Sequence, residues 1–188
     1  MTDAVIVSTA RTPIGRAFRR AFNSTKSPTR AGHAIRHVVA RAGIEPGDVE
    51  DVVLGTALPA GTAGCSIGRL ATLAAGLPDE VPGQTIDRQC ASGLMAIAIV
   101  AKQIVVDRVR IVVAGGQEII STLNTPKAEW VDRQQDERLR AACPNAYMPM
   151  LQTAEIVAKK YGVTRDVQDE YALSSQQRTA AAKAAAGP

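Results

Sequence analysis

The chain has 188 residues, a formal net charge of +4 and three cysteines, Cys65, Cys90 and Cys143, enough length for one domain with a sizeable core or one domain plus an appendage. With 46% apolar but only 3% aromatic residues, alanine, valine and isoleucine must fill the core, as in close-packed α/β layers. The odd, scattered cysteines exclude a disulfide framework and paired zinc ligands, and fit a reducing cytoplasm.

In chain order, Ala4-Val5-Ile6-Val7-Ser8-Thr9-Ala10 predicts a buried strand, short, β-branched and closed by Arg11-Thr12-Pro13. Residues 15 to 29 are polar, with turn signals at Asn23-Ser24-Thr25 and Ser27-Pro28. From Arg30 to Ala42 the pattern is helical, with Ile35, Val38 and Val39 on one face and Gly43 as the stop. Residues 51 to 58 predict a second strand, and Cys65 to Ala75 a short helix ended by Gly76 and Pro78. A strand follows at 84 to 87. The segment from 90 to 106 is apolar on nearly every side (Leu94, Met95, Ile97, Ile99, Val100, Ile104, Val105), which predicts a helix buried between layers. Residues 109 to 114 predict a fourth strand ending at Gly115-Gly116. These glycines either let the backbone pass close to another element or simply end the strand in a turn. Strands alternating with helices imply a mainly parallel sheet covered on both faces.

From Leu123 to Met150 charge rises, Trp130 appears, and Pro126, Pro144 and Pro149 punctuate the chain, so this stretch reads as an excursion from the core. Thr153 to Tyr161 is helical, with Gly162 as its end. Thr164 can cap a last helix from Arg165 to about Ala186. No apolar run reads as long enough to span a bilayer. The N-terminus shows no charged-then-apolar signal pattern, so the expectation is a cytoplasmic protein with no membrane partner.

Basic residues concentrate early: Arg11, Arg16, Arg19, Arg20, Lys26, Arg30, Arg36 and Arg41. They form either a solvated face or an attraction for an anionic ligand. Nucleic acid is not the expected partner, since no aromatic residues interleave to stack bases. His33 and His37 stand four apart on a helix without further ligands nearby, so no metal site is expected. Gly55 to Gly64 matches neither a dinucleotide fingerprint nor a P-loop.

Cys90 is the candidate catalytic residue. In Asp87-Arg88-Gln89-Cys90-Ala91-Ser92-Gly93-Leu94 it stands between an extended stretch and a helix, where unpaired amides and the helix dipole favour negative charge. Cysteines so placed lean toward the thiolate that attacks carbonyls. Ala91, Ser92 and Gly93 leave room for a substrate.

This segment resembles the nucleophile segment of the thiolase family, and the resemblance continues in order along the chain. Ala4 to Gly15 resembles the family's opening strand and turn, and Val52 to Leu58 its second strand. Ala114-Gly115-Gly116-Gln117-Glu118 resembles its glycine-glycine-x-glutamate strand end. Thr153-Ala154-Glu155 and Arg165 to Ala172 resemble the start of its loop domain. The resemblance implies the N-terminal half of a layered α/β fold. Residues 1–121 would form the core domain, a mainly parallel mixed sheet with helices on both faces, and 122–188 a partial loop domain.

It also implies acyl transfer through Cys90. Either 3-ketoacyl-CoA is thiolysed or acetyl-CoA is condensed, with coenzyme A thioesters as substrates, no cofactor, and a place in fatty acid metabolism. The histidine base, an asparagine-glutamate segment and a second cysteine belong to the family's C-terminal half, expected in cis or in trans, and a homo- or hetero-oligomer is expected. Glu118 is expected to be structural. Met150 falls where the family lines its acyl pocket, but Pro149-Met150-Leu151 stands where the family pattern is His-Met-Gly, and methionine as core filler is the competing reading. The alternative function is a truncated, non-catalytic thiolase-like protein acting in acyl-CoA binding or assembly.

Overall fold

Three short runs, Asp51–Gly55 (β1), Gly83–Ile86 (β2) and Val112–Gly116 (β3), form a parallel sheet in the order β2-β1-β3. Val53 of β1 stands opposite Gln84 of β2 and Ala114 of β3. Because successive side chains leave a strand on opposite faces, β1 feeds two cores. Val52 and Leu54 join Ile35, Val39, Ile67 and Ala71 on one face, while Val53 joins Ala96 and Val100 on the other. The first face is covered by α1 (Ser27–Ala42) and α2 (Ile67–Ala75), the second by α3 (Ser92–Lys102). A strand buried on both faces is the continuous apolar run expected of a parallel sheet.

The computed structural model describes residues 3–19, 21–122, 133 and 135–186. By contacts the chain divides into two compact units, residues 1–127 and 128–188. Ile67 is fully buried in the first. Ile67→Ala is expected to cost about 3 kcal/mol, read as a lower urea midpoint with an unchanged slope.

Several sequence expectations shift. Residues 4–10 form no strand: Val5, Ile6 and Val7 are exposed, and the three strands of the sheet pair only with one another. A strand exists only where a neighbour takes its backbone hydrogen bonds, and here the Thr9 carbonyl accepts from the Arg41 guanidinium instead. The first helix starts at Ser27 rather than Arg30, because Pro28, read as a turn signal, sits in its first turn, where its fixed φ suits a helix. Gly43 and Gly76 end α1 and α2 in left-handed conformations, as expected.

The helix expected from 90 starts at Ser92 and passes after Lys102 into a π-helical turn, Gln103–Asp107. It is buried on one side only: Ala96 and Val100 pack inward, whereas Leu94 is 72% and Val106 71% exposed. The all-round apolar pattern demanded two covered faces, and within this unit the sheet supplies one. By length and composition alone, Gln89–Asp107 (19 residues, hydropathy 1.6) would also suffice to cross a membrane, which corrects the expectation that no stretch would. The last strand begins at Val112 and takes in Gly115 and Gly116.

The second unit holds three helices among its described residues: α4 (Glu137–Ala142), α5 (Met150–Tyr161) and α6 (Arg165–Ala186). Most of the expected excursion, 123–132 with Trp130, lies outside the described residues. Within the rest, α4 was not anticipated, although Asp136 caps it by accepting from the Leu139 N–H at 2.7 Å. Helix α5 begins earlier than Thr153, directly after Pro149 at its N-cap, and Thr164 Oγ1 accepts from the Val167 N–H at 3.4 Å at the start of α6.

Candidate active site

Cys90 lies between the end of β2 and the first turn of α3, and its thiol is exposed. The turn that presents it is built from local bonds. The Asp87 carboxylate accepts from the Gln89 N–H at 2.8 Å, a side-chain-made turn that aspartate favours. The Ala91 N–H donates to the Arg88 carbonyl at 3.1 Å, and the Ser92 N–H to the Gln89 carbonyl at 3.0 Å. Gln89 sits at φ 51°, a left-handed conformation unusual for a residue with a side chain. Such strain persists only where the surroundings hold it.

Close backbone contacts set this turn against the sheet. A Cβ added at Gly55, the last residue of β1, would lie 2.4 Å from the Ser92 carbonyl carbon and 2.7 Å from the Gly93 nitrogen. A Cβ on Gly116 would lie 3.2 Å from the Gly93 Cα. Gly116 therefore answers to close approach, whereas a Cβ on Gly115 would meet only Leu54 Cδ1 at 3.8 Å. The small residues after Cys90 do not all make room for a ligand: Ala91 is exposed, but Ser92 is buried and Gly93 packs beside Gly116.

Behind the turn runs a polar network that joins distant parts of the sequence. The Glu118 carboxylate accepts from the Ala57 N–H at 2.8 Å and from Thr56 Oγ1 at 3.4 Å, and Gln117 Nε2 donates to Thr56 Oγ1 at 3.2 Å. The Arg30 guanidinium donates to the Glu118 carbonyl oxygen. Burial lowers the Arg30 pKa from its ordinary value, and the Glu118 charge works the other way. Glu118 thus ties the end of β3 to the loop after β1, a structural role. A cavity of about 110 Å³ beside it is lined by Arg16, Phe22, Asn23, Arg30, Glu118 and Ser121 among others; Cys90 is not part of its wall.

Three of the early basic residues are already committed. Arg36 donates to the Ala74 and Ala75 carbonyls at the end of α2, Arg41 to Thr9, and Arg30 to Glu118. For Arg36, a cation on the carbonyl end of a helix is favourable in itself, and all three side chains hold backbone carbonyls of the fold. His33 and His37 meet edge to face with ring centroids 4.4 Å apart, and no group of three metal-ligating side chains occurs among the described residues. Met150 is the first residue of α5 in the second unit and is exposed. Nearby, Met148, Pro149 and Gln152 help line a cavity of about 200 Å³. Sequence reasoning missed Thr56 as a member of the Cys90 surroundings, and treated Ser92 only as space. The available signal was a serine in the first turn of a helix, a position where hydroxyls bond to backbone.

Comparison with known proteins agrees along the whole chain. A family model described as "Thiolase, N-terminal domain" matches residues 4–187. A 3-ketoacyl-CoA thiolase of Bacillus subtilis is 38% identical over 184 residues, covering 98% of this chain and 46% of the relative. An acetyl-CoA acetyltransferase of Cupriavidus necator is 38% identical over 196 residues, covering 98% and 49%. The crystal structure of the Bacillus anthracis acetyl-CoA acetyltransferase superposes with a TM-score of 0.76 at 36% identity, over 92% of this chain and 45% of that one. The chain spans about half the length of the curated relatives it matches. With the matching order of motifs, the parallel α/β sheet and the cysteine at the head of α3, the chain belongs to the thiolase family, where it corresponds to the N-terminal half.

Proposed function

We propose that this chain supplies the nucleophile of an acyl-CoA acyltransferase working through an acyl-cysteine. The observation that carries the reading is the exposed Cys90 thiol on the turn between β2 and α3. In thiolysis, Sγ attacks the 3-keto carbonyl of a 3-ketoacyl-CoA, the carbon–carbon bond breaks and acetyl-CoA leaves. Coenzyme A then takes the shortened acyl group from Sγ. In synthesis, acetyl-CoA acylates Sγ with loss of coenzyme A, and the enolate of a second acetyl-CoA attacks the acyl group. Each addition places charge on a carbonyl oxygen, and the Cys90 N–H is the donor this half offers.

A C-terminal half, in cis or in trans, supplies the proton-transfer groups and the second donor. Two facts support this: the relatives are about twice as long, and α3 with the π-helical turn after it leaves Leu94, Ile97 and Val106 uncovered, an apolar face suited to a partner surface. We read residues 122–188 as the start of the loop domain and Met150 as one wall of the acyl pocket. Its exposure suits a wall completed by another surface. The substrates are coenzyme A thioesters, with no cofactor, in fatty acid metabolism, and the active form is an oligomer. A cytoplasmic setting fits the bacterial relatives, although an Encephalitozoon cuniculi relative is named peroxisomal.

Complementation tests the reading. Acetoacetyl-CoA plus coenzyme A is given to the chain alone, to a thiolase C-terminal half alone, and to the two together. Cleavage in the mixture alone is the expected result. Leu94→Glu is expected to reduce it at least about tenfold with an unchanged melting temperature, because a charge then faces an apolar interface. No cleavage in the mixture, with no acyl adduct on Cys90, would overturn the proposal.

A further inference from the structure

We infer that Ser92 is a positioning residue that aims the Cys90 amide at the reacting carbonyl oxygen, an inference that rests on the acyl-cysteine reading above. The argument begins with the peptide that joins Gln89 to Cys90. Its carbonyl belongs to Gln89 and its N–H to Cys90. In a planar trans peptide the two point in opposite directions, so whatever fixes the Gln89 oxygen fixes the direction of the Cys90 N–H.

Ser92 fixes that oxygen twice. Its hydroxyl lies 2.6 Å from the Gln89 carbonyl oxygen, and its own N–H donates to the same atom at 3.0 Å. The hydroxyl oxygen also accepts the Arg88 N–H at 2.8 Å, closing a ring across the turn that carries Cys90. The Thr56 carbonyl, 3.4 Å from the same hydroxyl, is a second acceptor on the end of β1, and Glu118 holds that loop through Ala57. Ser92 itself is 3% exposed and cannot turn away to solvent. Gln89 would not keep its left-handed φ of 51° without such restraint. The Cys90 N–H, at the other end of the same planar peptide, is thereby fixed in direction. The substrate oxygen it serves is a thioester or ketone oxygen gaining negative charge as Sγ adds.

This role separates two reactions of the same thiol. Acylation by a thioester builds an oxyanion and needs the aimed amide, whereas alkylation by iodoacetamide displaces iodide at a saturated carbon and builds none. The experiment follows both by peptide-resolved mass spectrometry on the chain, alone and with a thiolase C-terminal half, using acetyl-CoA and iodoacetamide separately. Exposed Cys65 and Cys143 serve as internal references. Ser92→Ala is expected to slow Cys90 acylation by about 10- to 100-fold, somewhat below the loss of a whole oxyanion donor, while Cys90 alkylation changes less than about threefold. Ser92→Thr, which keeps the hydroxyl, is expected to retain acylation, and Ser92→Val, of the same shape without it, to lose it.

Should Ser92→Ala fail to fold, the threonine–valine pair decides. Equal acylation in wild type and Ser92→Ala, or in Ser92→Thr and Ser92→Val, would overturn the inference, as would an equal fall in acylation and alkylation. If wild-type Cys90 takes no acetyl group under either condition, the acyl-cysteine reading itself fails and takes the inference with it.

Discussion

Cys90→Ala is expected to abolish formation of an acetyl adduct on this chain, and with a C-terminal half supplied to cut acyl transfer by about 10⁵-fold or more. That is the scale on which removing a nucleophile acts in enzymes that work through a covalent intermediate. The loss follows from the proposed role: without Sγ there is no atom to carry the acyl group between two molecules of coenzyme A. The substitution should be nearly silent for the fold, because the thiol is exposed. Intact-mass spectrometry after incubation with acetyl-CoA or acetoacetyl-CoA reads the result directly. An adduct on the chain alone would show that the first covalent step needs no second half. An adduct that persists in Cys90→Ala would move the role to Cys65 or Cys143, both of which are also exposed.

Gly55→Ala is expected to be the most damaging single methyl on the sheet. The new Cβ would lie 2.4 Å from the Ser92 carbonyl carbon, 2.5 Å from its oxygen and 2.7 Å from the Gly93 nitrogen. All three are backbone atoms of α3, so no side chain can swing aside; the helix must lift from the sheet or β1 must bend. Overpacking of this kind costs about 3 kcal/mol, a fall of roughly 10 °C in melting temperature for a unit of this size. The lift would also displace the Cys90 turn, so acylation should fall further than the lost stability accounts for. Gly115→Ala is the control. Its Cβ would meet only Leu54 Cδ1 at 3.8 Å, an ordinary contact, so its melting temperature should move by only about 2 °C. Equal melting temperatures for the two variants would show that α3 is not seated on β1 as closely as these distances state.

The two expectations draw on different kinds of information. The position of Cys90 between a strand and a helix was legible because its signals are local: a thiol, small neighbours, a strand before it and a helix after it all stand within a few residues. The same holds for β1 and α2, whose apolar periodicity and terminal glycines are short-range signals. Residues 4–10 show where that logic stops. Their β-branched pattern is as strand-like as that of β1, yet Val5, Ile6 and Val7 are exposed, because a strand needs a neighbour and the sheet gives them none. Helix α3 makes the same point for burial. Its pattern asks for cover on every side, and only the side facing Val53 is covered within this unit.

By itself, then, the sequence singled out Cys90 as the candidate nucleophile and determined the alternation of strands and helices and the family, since each is written in residues close together or in the order of motifs. Only the tertiary structure decided what surrounds Cys90. Ser92 reaches Thr56 across 36 positions, and Glu118 reaches Ala57 across 61. Gly55, Gly93 and Gly116 become one packed point only when β1, β3 and α3 converge. No spacing rule encodes such contacts. They arise because a parallel sheet brings the carboxyl ends of its strands together, however far apart those ends lie in the chain.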